Sequence, residues 1–207
     1  MGAKTRSGSE GISKPRLGVS TCLSGFKVRY DGSHKRDRFL TDTFGQFVDW
    51  VPVCPEVECG MPTPRPSLRL VGYPGEPRLI VRKTGEDKTD QMKSWAKKRL
   101  QELEKENLVG YIFKSKSPSS GMERVSVFDE HGMPHKVGSG IFARAFMEHF
   151  PLLPTEEEGR LHDPALRENF IQRIFLLQRY RDCLRPRRSR GALVDFHTRH
   201  KYQLMAH

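Results

Sequence analysis

No stretch of the 207 residues approaches the ~18 consecutive apolar side chains that a membrane-spanning helix requires. The N-terminus lacks a signal peptide's apolar core as well, since residues 1–15 hold Lys, Arg, Ser and Gly but no apolar run. Both absences argue against a spanning or secreted protein and make the cytoplasm the expected location. Cysteine is scarce too. Four in a chain of this length are too few for a disulfide framework, so a reducing compartment would keep them as thiols or metal ligands. Acidic residues fall short of basic ones, 25 against 36, and the formal charge is +11. The shortfall is local: residues 1–16 carry +3 and 179–190 carry +5, whereas 17–178 carry only +2. Basic ends on a nearly balanced body fit a polyanion partner, most often nucleic acid, through phosphate neutralisation; a solvated tail and a charged linker are the plainer reading.

What is present is an alternation of strand and helix signals. Residues 16–21 form a short β-type run that ends at Cys22, and 48–54 read as a second strand whose end delivers Cys54. Residues 39–47 suit a short helix. Five prolines between 60 and 77 predict an irregular loop, and 79–82 is a further strand candidate. Met92, Trp95, Ala96, Leu100 and Leu103 fall at helical spacing within 89–106. Residues 108–114 are almost continuously apolar, the mark of a strand buried on both faces of a parallel sheet. A helix is expected over 142–150. A later amphipathic one carries Leu166, Phe170, Ile174 and Leu177, and is introduced by Asp163 and Pro164 as cap and first-turn proline.

This order predicts an α/β fold: a Rossmann-like three-layer sandwich with a mostly parallel sheet over 16–152, then a helical C-terminal extension over 153–184. Residues 1–15 are expected to be a disordered basic tail, and 185–207 a basic linker and the opening of a second domain cut short.

In such sheets the ligand crevice lies beyond the carboxyl ends of the strands, where Cys22, Cys54 and the loop opening at Ser117 all fall. Loop thiols at a sheet edge suit a soft metal or an iron–sulfur cluster, although buried structural thiols have the same appearance. The spacing of Cys54 and Cys59 is not that of a zinc ribbon. Glu56, two residues after Cys54, could move protons for an attacking water or simply cap a turn. The loop at 117–121 is an anion-binding or oxyanion turn, or a plain connection. Residues 138–143 match a dinucleotide-binding glycine pattern, but no acidic residue closes a βαβ unit, so a tight turn into a helix is expected. His197 and His200 lack a third ligand nearby and read as surface or packing residues. The acidic run at 156–158 reads as a solvated first turn.

Several ordered motifs then converge. STCLSG at 20–25, VRYDG at 28–32, VCPEV at 53–57, PTPR at 62–65, KTGED at 83–87 and KSKSPSSG at 114–121 resemble the thiouracil and tRNA 4-thiouridine desulfidases of the TudS and RudS type. The resemblance runs from about 17 to 150 and continues through LPTEEEGRLHDPALRENF at 153–170, as in a longer branch with an extra C-terminal domain. It implies a 4Fe-4S cluster held by three cysteines with one iron open. Cys22 and Cys54 fall on the first two ligand positions. At the third, short members have a cysteine where this chain has Ser120, so Cys59 is the expected substitute. It further implies Glu56 and Ser117 as the acid/base pair, and a non-redox removal of sulfur from a thiolated uracil. The expected substrate is 4-thiouridine in tRNA, which would give the basic ends an RNA partner. Free 2-thiouracil is the alternative substrate, and a nucleic-acid-binding protein with a structural or sensing metal is the alternative function.

Overall fold

The structure is a computed structural model in which residues 14–184 and 189–205 are described; residues 1–13 of the tail expected at 1–15, the linker residues 185–188 and residues 206–207 lie outside them. Strand β1 (Arg16–Ser20) pairs in parallel with β2 (Asp49–Val53), and a four-residue helix α1 (Pro55–Glu58) follows β2 directly. Next come β3 (Leu68–Val71), β4 (Arg78–Val81), α2 (Thr89–Glu104) and β5 (Tyr111–Phe113). The chain continues through β6 (Val125–Phe128), β7 (Pro134–Gly138), α3 (Ile141–His149), β8 (Thr155–Glu157), α4 (Pro164–Leu184) and α5 (Arg190–Met205).

The first sheet has the order β2-β1-β5-β8 and is parallel throughout, as the buried run at 108–114 requires. Its two faces are covered differently. On one, Leu17, Val19, Val109 and Ile112 meet Leu40 and Phe44 of the 39–46 turns, together with Phe170 and Ile174 of α4. On the other, Val51, Val53, Tyr111 and Phe113 meet Ala96, Leu100 and Leu103 of α2 and Phe142, Ala143 and Phe146 of α3. This is the expected three-layer α/β sandwich. Residues 39–47, expected as a short helix, form a π-type turn at Phe39–Thr43 followed by a 3-10 turn at Phe44–Gln46.

Two parts differ from expectation. A second sheet, order β4-β3-β6-β7, packs on the outer side of α2 and α3 through Leu70, Leu79, Val125 and Val127 against Met92 and Ile141. Its strand β3 lies in the proline-rich stretch expected to be irregular. There Leu70 is fully buried and the β3–β4 ladder satisfies the backbone between prolines. In addition, 153–184 is no mere appendage: β8 completes the first sheet and α4 seals one of its faces. Asp163 caps α4 as expected, its Oδ1 accepting from the amides of Ala165 and Leu166. Among the described residues no helix is long and apolar enough to cross a membrane.

Candidate active site

Chain order places the crevice. From β1 the chain adds β2 on one side and later β5 on the other, so the carboxyl end of β1 is the point where strand order reverses. A cleft of about 280 Å³ opens there. Ligand pockets typically span about 300–1,000 Å³, so this one suits a base-sized ring. Cys22 and Thr21 line it from the turn after β1, Cys54, Pro55 and Glu56 from the end of β2, and residues 114–120 from the loop after β5. Val28, Arg29, Tyr30, Lys35 and Arg65 close its remaining side.

The structure therefore brings together Cys22, Cys54, Glu56 and Ser117, with Ser120 beside them. Cys59 is not among the lining residues. It ends α1, with its Sγ 3.3 Å from the Glu56 carbonyl oxygen and its side chain against the cluster of Met61, Leu70 and Met92. Burial pushes the Cys22 thiol up to about 11, and burial followed by the neighbouring Glu56 does the same to Cys59. Burial also raises Cys54, whose charge in turn disfavours ionisation of both other thiols. A soft metal centre bound here must therefore displace protons from its ligands.

Glu56 is held from two sides. The Arg65 side chain is 4% exposed, and its Nε (2.9 Å) and one terminal nitrogen both donate to Glu56 Oε2. The other donors of Arg65 reach the carbonyls of Pro62 and Val28 and the Thr63 hydroxyl. Oε1 of Glu56 instead accepts from the Ser119 hydroxyl at 2.7 Å. Ser119 Oγ lies 3.0 Å from Ser117 Oγ, which also accepts the Ser120 amide at 3.1 Å.

The loop carrying these serines is fixed at both ends by the acidic run that the sequence suggested to be a solvated turn. Glu158 accepts from Lys114 Nζ and from the Ser115 amide (2.7 Å) and hydroxyl (2.8 Å), while Glu157 Oε1 accepts the Met122 amide at 2.8 Å. Glu156, 8% exposed, pairs with Arg160. These carboxylates are structural anchors of the site, and their side chains face inward because unpaired loop amides and cations wait there.

The loop also answers the glycine pattern at 138–143. The first amides of α3 donate to Pro118 and Ser119 carbonyls, leaving none for a dinucleotide phosphate. A Cβ on Gly140 would stand 2.4 Å from the Ser119 carbonyl carbon, so glycine here lets the loop and helix touch. Lys116 adopts the left-handed backbone region, φ 60°, rare for a side-chain-bearing residue and frequent where function dictates geometry. His200 bonds Gln203 on α5, and among the described residues no three His, Cys, Asp or Glu converge on a metal position.

Comparison with known proteins bears on this cleft. The model of the 2-thiouracil desulfurase family matches residues 17–158. The uncharacterized protein YbbK of Bacillus subtilis is 36% identical over 111 residues, which are 50% of this chain and 71% of YbbK. The solved structure of the [4Fe-4S]-dependent thiouracil desulfidase TudS is 28% identical, with a TM-score of 0.60, and the match covers 75% of this chain and 98% of that one.

Proposed function

The chain belongs to the 2-thiouracil desulfurase family, and on that footing we propose that it is an iron–sulfur-dependent desulfidase that replaces the sulfur of a thiolated uracil by oxygen. The observation that carries this reading is the meeting of Cys22, Cys54, Glu56 and Ser117 in one base-sized cleft. The Cys22 and Cys54 thiols facing the cleft are soft donors of the kind a 4Fe-4S cluster takes. Cys22 and Cys54 would hold it from adjacent strand ends, and the third protein ligand is Cys59, the expected one, or Ser120, whose side chain lines the cleft. When bound, a cluster with an open iron supplies a soft Lewis acid that takes up a thiocarbonyl sulfur.

The protein's own groups do the rest. Glu56, ionised and oriented by Arg65, receives a proton from water as the oxygen adds to the ring carbon. Ser117 stands at the cleft wall to hold the ring or pass that proton. The products are the uracil and hydrosulfide.

For the substrate we favour 4-thiouridine within tRNA over free 2-thiouracil. The support is the charge at 1–16 and 179–190, which a free base does not need and an RNA does. Replacing Arg185, Arg187, Arg188 and Arg190 by Ala should weaken tRNA binding in a filter or fluorescence assay and lower its salt slope, by ~0.9 for each duplex phosphate no longer neutralised. Turnover of a free thiobase should stay the same. Equal losses on both substrates would mean that the arginines support the fold, and no RNA binding at low salt would return the free base to first place.

A further inference from the structure

We propose that Ser119 is the group through which Glu56 exchanges protons with the cleft, completing a relay Ser117–Ser119–Glu56. The inference rests on the desulfidase reading and extends it to a residue that neither the motifs nor the comparisons single out.

The hydrogen-bond directions follow from what each atom can do. An ionised carboxylate only accepts, so the Ser119 hydroxyl donates to Glu56 Oε1. Ser119 Oγ is then free to accept, and its neighbour is Ser117 Oγ at 3.0 Å. Because the single Ser119 proton is given to Oε1, the proton between the two hydroxyls is that of Ser117, whose Oγ accepts the Ser120 amide at 3.1 Å and the Ser119 amide at 3.4 Å. The chain thus runs one way. Oε2 of Glu56 is occupied by two nitrogens of the buried Arg65, which leaves Oε1 as the oxygen able to take a proton, and the Ser119 hydroxyl sits on it. Ser119 is 1% exposed, and its carbonyl caps α3, so its position is rigid.

The step balances without another reactant. An attacking water gives a proton to Ser117 Oγ, the Ser117 proton moves to Ser119, and the Ser119 proton moves to Oε1. Hydroxide adds to the thiocarbonyl carbon, and both serines end neutral as they began. Breaking the carbon–sulfur bond then releases sulfide, which takes the proton stored on Glu56 and leaves as hydrosulfide, while the added hydroxyl gives its own proton to Glu56 as it becomes the carbonyl, and that proton is lost to solvent.

The test uses Ser119→Ala, Glu56→Gln and the double variant, each checked for wild-type iron content. Ser119→Ala should lower kcat by ~100-fold, the scale of a lost proton-transfer group, with KM within about twofold of wild type. The double variant should be no slower than Glu56→Gln alone, because both changes cut the same path. A second readout needs no turnover: in iron-free protein, the infrared carboxylate band that Glu56→Gln removes should shift in Ser119→Ala. A kcat within twofold of wild type, losses that multiply in the double variant, or an unshifted band would each overturn the relay. Loss of iron from Ser119→Ala would also do so, by making its role structural. Failure of the wild type to desulfurate would instead defeat the underlying function, leaving the infrared band to decide the Ser119 contact.

Discussion

Alanine at Cys22 or at Cys54 is expected to abolish the broad visible absorbance of the anaerobically reconstituted protein and, with it, all turnover. Thiolate-to-iron charge transfer produces that absorbance, and these two thiols are the ones that line the cleft. Loss of either leaves a single thiol lining the cleft, and the alanine offers no donor in its place. The fold itself should survive, since Cys22 and Cys54 become small side chains at strand ends rather than in the middle of a strand. Circular dichroism would check that. The same assay settles the third ligand. If Cys59 serves, Cys59→Ala loses iron while Ser120→Ala keeps it; if Ser120 serves, the order reverses and Ser120→Cys holds iron more firmly. Full absorbance in Cys22→Ala or Cys54→Ala would refute the ligand set.

The second large effect concerns Glu56. Glu56→Gln should retain iron yet lose turnover by ~100-fold or more, because the amide cannot accept the proton that addition of water releases. Gln keeps a carbonyl oxygen for one of its two partners, so Arg65, with three further acceptors, stays satisfied. The thermal midpoint should therefore fall far less than for Glu56→Leu, which leaves the Ser119 hydroxyl without its acceptor. Iron-replete Glu56→Gln protein turning over at the wild-type rate would make this carboxylate structural.

The parallel sheet is legible in the sequence because its strands carry signals that tertiary packing does not override. Residues 108–114 are apolar on both faces, and the strands before Cys22 and Cys54 are short β-branched runs ending in turn residues. The position of the three loops at the carboxyl edge follows from that alone. What stays hidden depends on partners far along the chain. Glu156, Glu157 and Glu158 look like a solvated helix start, yet they sit on or beside β8: Glu157 and Glu158 take amides and a cation 35 to 44 positions earlier, and Glu156 pairs with Arg160. Strand propensity of glutamate is poor, and the pairing of β8 with β5 outweighs it. Arg65 is visible in the sequence only as the end of PTPR; its burial against Glu56 and the Val28 carbonyl spans 9 and 37 positions. The β6–β7 hairpin does have a local signal. Val125, Ser126 and Val127 alternate before Asp129, whose Oδ1 accepts the amides of His131 and Met133 in the turn. Ser119 lies in plain view within KSKSPSSG, but only the contact to Oε1 distinguishes it from its neighbours.

The most direct measurement is a single-turnover assay on anaerobically reconstituted protein, with iron and sulfide counted first and 4-thiouridine tRNA and 2-thiouracil offered separately. About four irons per chain are expected, then loss of the thiocarbonyl absorbance with uridine or uracil and hydrosulfide appearing in equal amounts, without any added reductant. Iron-replete protein that leaves both substrates intact, or a chain that takes up zinc and no iron, would contradict the desulfidase reading.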